Sequence, residues 1–197
     1  MARRLGLLLV LSFVLPGVAV AATVHVRVEG KTQNIWGPTA PTLTATTAQD
    51  SLEQASIAGE FYYHLTVTSF GPYVDQIGRY PGTSDSGWVF KVNNVSPPVG
   101  ADAVTLADGD SVLWYYATFG PTGGPPTLGL SNVTGGCYKV TAYDDAGKSV
   151  SVPGVVVHVG SKKSISTGVG KSVCPGPHPG VLVSATATGA VRSNALK

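Results

Sequence analysis

The chain has 197 residues, with 13 Lys and Arg against 11 Asp and Glu, and a formal net charge of +2 with histidine neutral. Only 12% of residues are charged, while 25 are Gly and 14 are Pro. Nucleic-acid binding is excluded as a class, because phosphate contacts need clustered Lys and Arg.

In chain order, the first segment reads as a signal peptide covering residues 1–21. Arg3 and Arg4 form a basic start, Leu5–Leu15 is an apolar run broken by Pro16 and Gly17, and Ala19-Val20-Ala21 is a small-x-small cleavage site. Cleavage removes two arginines and leaves a neutral mature chain from Ala22. No later apolar run reaches the roughly 18 residues a membrane helix needs. The expected location is therefore secreted or cell-surface, with no membrane span after cleavage.

Thr23–Glu29 alternates, with Val24, Val26 and Val28 on one face and His25, Arg27 and Glu29 on the other, which predicts a half-buried strand. Thr42–Thr46 reads as a second strand. A helix is expected over Thr47–Ile57, where Ala48, Leu52 and Ala55 recur at helical spacing, capped by Thr46 or Thr47 and stopped at Gly59. Further strands are predicted at Phe61–Thr68, Trp88–Asn93 and Asp110–Ala117, the last preceded by an Asp108-Gly109 turn. One helix over one face of a sheet makes this half an α+β domain.

Gly120–Pro126 is dense in Gly and Pro and marks a linker. It divides the chain into residues 22–119 and 127–197. The first half carries four basic and nine acidic residues, the second seven basic and two acidic. Attraction between the halves, or of the second half to an anionic wall, is one reading, and chance over short segments is the other. The second half shows alternating runs at Cys137–Tyr143, Val152–Val159 and Gly180–Thr186 and no helix, which reads as a β-sandwich. Cys137 and Cys174 are an even pair in an exported chain and predict a disulfide.

No nucleophile–base or metal-ligand constellation stands out. His25, His64, His158 and His178 are scattered, and G-x-S-x-G and H-E-x-x-H are missing. Asp108-Gly109-Asp110 reads as a turn rather than a calcium loop. The expectation is a protein that is not an enzyme, with no metal and no cofactor.

Gly87-Trp88-Val89-Phe90-Lys91-Val92-Asn93, then Val99-Gly100-Ala101-Asp102, then Leu106-Ala107-Asp108-Gly109-Asp110-Ser111-Val112-Leu113-Trp114-Tyr115-Tyr116 form a motif series. It resembles the transcobalamin-like C-terminal domain family, and Asp50–Ala55 and Phe70–Ile77 match that family's earlier elements. Asn94 stands where many members have Gly, and Val104 where an aromatic is common. The resemblance implies a β-grasp fold over residues 22–119 and a corrinoid, such as cobalamin, as one conceivable ligand. The second half resembles immunoglobulin-like or prealbumin-like bacterial surface domains through Val140–Gly147 and Val152–Gly160.

The sheet face opposite the helix should carry His25, Arg27, Tyr62, His64, Thr66, Val89, Lys91, Leu113 and Tyr115. Either a ligand or the second half of the chain covers that face. Candidate ligand-binding residues are Tyr62, His64, Lys91 and Tyr115 on it, with Tyr73 and Tyr80 on neighbouring loops. Two functions are open: binding of a corrinoid-like or other small molecule, or an adhesive surface module that binds a cell-surface protein or glycan.

Overall fold

The computed structural model describes residues 20–69, 71–121 and 123–197. Residues 1–19, which hold most of the expected signal peptide, lie outside the described residues. The described residues are mostly β, with one helix and several sheets.

Strand β1 (Ala22–Glu29) buries Val24, Val26 and Val28 completely, as its alternation demands. It pairs antiparallel with β2 (Asn34–Trp36) and β3 (Thr42–Ala45). Helix α1 (Ala48–Gly59) follows, and Thr47 caps it by accepting the Asp50 N–H. The helix runs past the expected stop: Gly59 is its last residue, and Glu60 takes the left-handed cap. A side chain at Gly59 would collide with the Trp36 indole. That glycine therefore serves close approach rather than termination. The helix turns Ala48, Ser51, Leu52 and Ala55 into the core.

A separate antiparallel sheet is formed by β4 (Tyr63–Thr68), β5 (Gly71–Ile77) and β6 (Tyr80–Pro81). Strand β7 (Ser86–Val92) then pairs antiparallel with β8 (Ser111–Thr118), and β8 lies parallel to β1, His25 opposite Ser111. The main sheet thus runs β2-β1-β8-β7, with β3 also on β1 and β7 at an edge. Its helix-side core holds Val24, Val26, Val28, Leu52, Trp88, Val112 and Trp114.

The Gly/Pro segment is not an extended tether. Gly120 and Gly123 bond each other's backbone, and the Gly124 N–H donates to the Asp145 carboxylate at 3.1 Å. Strand β9 (Thr127–Val133), absent from the sequence reading, pairs with β10 (Cys137–Tyr143). Two two-residue strands, β11 (Ser149–Val150) and β14 (Ser172–Val173), join that sheet. A second sheet is β13-β12-β15, formed by β12 (Val155–Val159), β13 (Lys163–Thr167) and β15 (Val183–Thr186). Leu128, Leu130, Val140 and Ala142 from one sheet meet Val155, Val157, Val183 and Ala185 from the other in a single core. Cys137 and Cys174 form a disulfide across a separation of 37 residues.

Candidate functional site

The main-sheet face opposite the helix is covered. Leu113, Tyr115 and Ala117 of β8 are buried there with Val89 and Val191 packed on them. Arg27 and Glu29 are buried on the same side of β1. This packing takes Lys91 out of reach of a ligand on that face, and it leaves Tyr115 buried there. Lys91 has no accessible surface; its Nζ donates to the Asp144 carbonyl at 2.8 Å and lies 3.3 Å from Asp145 Oδ1. Tyr115 is 1% exposed, and burial pushes its hydroxyl pKa up. Lys91 is a fastener between the halves, because a buried ammonium must be paired.

The partner carboxyl responds. Burial pushes the Asp145 pKa up, but the Gly124 N–H, the Lys91 charge and the Ser96 hydroxyl more than offset it and hold it below its ordinary range. A depressed carboxyl contributes stability above its unfolded pKa of about 3.9 and loses it as pH falls through the folded value. The thermal midpoint of the wild type should therefore exceed that of Asp145→Asn at pH 6, and the difference should shrink as pH falls below the ordinary carboxylate range. A constant difference across that range would refute the assignment.

The remaining candidates lie apart from this face. Tyr62 and His64 are exposed at the β4–β5 sheet, and His64 Nδ1 lies 2.7 Å from Asp75 Oδ1. Burial raises the Asp75 pKa, and hydrogen bonds from Thr66 and His64 outweigh it, so the carboxyl sits low. Tyr80 shares its hydroxyl with Thr32 and Arg79. Among the described residues, no group of three or more His, Cys, Asp or Glu side chains is placed to hold a metal ion.

Tyr73 marks the more concave site. A cavity of about 430 Å³ opens between β5, the edge of β7, the 96–101 loop and the Gly123-Gly124 turn. Trp88, Phe90, Trp114 and Tyr115 form its aromatic wall, with Asp145 at one end. Tyr73, Val99 and Phe119 line it while remaining 41%, 51% and 45% exposed. Such large apolar side chains at the mouth of a cavity are the kind of exposure that marks a binding surface.

The edge of β7 adds hydrogen-bonding capacity. The Asn93 N–H donates to Ser111 and the Phe119 N–H to Asp85, which sets the phase of the β7–β8 ladder. Even-numbered residues of β7 therefore turn their backbone groups away from β8. Val92 uses both of its groups on Val95, and Ser86 accepts from the Thr83 N–H. The Tyr73 hydroxyl lies beside the Trp88 backbone, where a side chain at Gly87 would have to go. Phe90, on the cavity wall, keeps one N–H and one C=O outside the ladder. The alternation within Trp88–Asn93 was legible in the sequence. That this strand would be an edge was not.

Residues 45–118 match a family described as a domain of unknown function, DUF4430. None of the curated proteins matches the chain. Among solved structures the chain is similar to haptocorrin, in a crystal structure of haptocorrin in complex with Cbi. Identity is 14%, the match covers 53% of this chain and 27% of that one, and the TM-score is 0.42. The likeness is weak, and the chain spans about a quarter of that protein's length.

Proposed function

We propose that this chain is an exported, non-enzymatic binding protein that takes a small, mainly apolar ligand in the aromatic cavity beside β7. Its two domains are residues 22–119, of β-grasp type, and residues 127–197, of immunoglobulin-like type. The observation that carries the reading is the cavity itself. At about 430 Å³ it lies within the ~300–1,000 Å³ of small-molecule sites. Its wall holds Phe90 stacked on Trp114 with centroids 5.1 Å apart, and Trp88, which is braced edge-on by Tyr116 outside the cavity at 5.5 Å. Phe90 supplies one donor and one acceptor, and the Asp145 carboxylate a second acceptor.

A corrinoid is the finer reading, supported by the sequence motifs of the first half. So large a ring system would lie across the mouth, on Tyr73, Val99 and Phe119, with one edge inside. Saturable binding of cobinamide by residues 22–197, tighter than about 10 μM and weakened tenfold or more by Tyr73→Ala or Phe119→Ala, is the expected result. No spectral change up to millimolar ligand would remove the corrinoid. Failure of a panel of planar apolar molecules to protect the protein against heat would remove the cavity reading. It would leave the adhesive-module alternative, which the exposed Tyr62 and Val67 favour at 59% and 84% exposure.

A further inference from the structure

A second cavity, remote from the aromatic one, lies between the main sheet and β9–β10. Its volume is about 310 Å³, and it is lined by His25, Arg27 and Leu113 from one side and Leu130, Ser131 and Thr141 from the other. Asn94 and Tyr143 also reach it. It differs in character from the first: hydroxyls and amides predominate, and no Asp or Glu lines it.

Arg27 is the unusual group. It is 6% exposed, yet its charge is only partly compensated. Its Nη1 donates to Glu29 Oε1 at 3.0 Å and to the Arg192 carbonyl at 2.7 Å. Glu29 is shared, because Arg192 Nε takes the other carboxylate oxygen at 3.0 Å. Two guanidiniums therefore face one carboxylate. Burial lowers the Arg27 pKa, Glu29 opposes that, and Arg192 adds to it. Nε and Nη2 of Arg27 donate to no acceptor among the described residues. They form the side-on edge of the guanidinium, whose two parallel N–H groups match a carboxylate. Among the described residues no buried side-chain nitrogen or oxygen lacks a partner, so this unpartnered fork, on a side chain otherwise buried, is open to the polar cleft that Arg27 lines and is placed to take an anion from it.

We propose that this cleft binds a small hydroxylated carboxylate, such as a sugar acid. The Nε–Nη2 edge of Arg27 takes the carboxylate, and Ser131, Thr141 and Asn94 take the hydroxyls. The volume sits at the lower end of the small-molecule range, which suits one sugar-sized unit. Ser131 and Thr141 stand on facing strands, in register with Lys139 and Gly129 respectively, so both hydroxyls are held on rigid sheet rather than on loops.

The test uses the full mature chain, labelled with nitrogen-15, and follows the Arg27 Nε–Hε resonance while sodium glucuronate is added. Glucose and sodium chloride at matched ionic strength are the controls. A saturable shift with glucuronate, at a Kd of about 1 mM or tighter and at least tenfold tighter than glucose, is expected. Arg27→Lys keeps the charge but loses the fork, and should weaken glucuronate tenfold or more. The wild-type titration decides the question even if that variant fails to fold. No shift at Arg27 up to about 10 mM glucuronate, or the same shift with sodium chloride, would overturn the proposal.

Discussion

Glu29→Ala is expected to destabilise the protein by about 3–5 kcal/mol, the cost of leaving buried cations unpaired. Glu29 is 2% exposed and accepts from Arg27, Arg192 and Asn34 at once. Its removal strands two guanidiniums, one of them Arg27, almost fully buried. The effect should appear as a fall in the denaturant midpoint with little change in slope, because the surface exposed on unfolding is similar. Adding Arg27→Met to the same chain should recover part of the loss, since an apolar side chain of similar length carries no desolvation penalty. A loss below about 1 kcal/mol for the single variant would mean that water reaches the cluster freely.

Reduction of Cys137–Cys174, or Cys137→Ser with Cys174→Ser, should cost about 3–4 kcal/mol on the chain-entropy account of a loop of 37 residues. The bridge joins β10 to the segment just after β14, at one end of a sheet whose outer strand is only two residues long. So short a strand adds little pairing of its own, and the bridge keeps it in place. Tyr138, whose hydroxyl bonds His178 Nε2 at 2.6 Å, links the same region to the loop after Cys174. The loss should therefore be accompanied by faster amide exchange at Ser172 and Val173 than on β12. Equal stability with and without dithiothreitol would count against this.

Alternation carried much of the fold. Val24, Val26 and Val28 are buried where the sequence placed them, and Thr47 caps the helix as expected. β9 was missed because Leu128 and Leu130 are its only large apolar residues before polar Ser131 and Asn132. β11 and β14 are too short to have a period. The candidate site was harder to read. Period two assigns residues to a face, but it does not say what covers that face. Lys91 looked like a solvent-facing residue; a carbonyl and a carboxylate from 53 and 54 positions further along close over it.

The charge imbalance between the halves was similarly half informative. Arg192 on Glu29 follows it, while Lys91 on Asp145 runs against it. Tyr73, expected at the rim of the sheet, lines the aromatic cavity. Phe119 and Val99 were missed there, because a lone aromatic beside a Gly/Pro segment and a lone valine in a loop carry no periodic signal. Arg27 was placed on the correct face, but its role depends on Arg192, which no local pattern connects to it.

The parallel pairing of β1 with β8 sets a timetable. The first strand among the described residues is also an interior one, and its parallel neighbour lies at residues 111–118. On a chain emerging from N-terminus to C-terminus, β1 can form hairpin contacts with β2 and β3 early, but its other edge waits until nearly the whole first half has been made. Contacts so distant in sequence slow folding and leave a strand edge open to wrong partners meanwhile. The same β8 carries Trp114 into the helix-side core and Tyr115 into the seam with the second half. Its arrival therefore completes one layer and creates the surface on which the other is built, so the two halves should gain protection from exchange in sequence, the first never lagging the second.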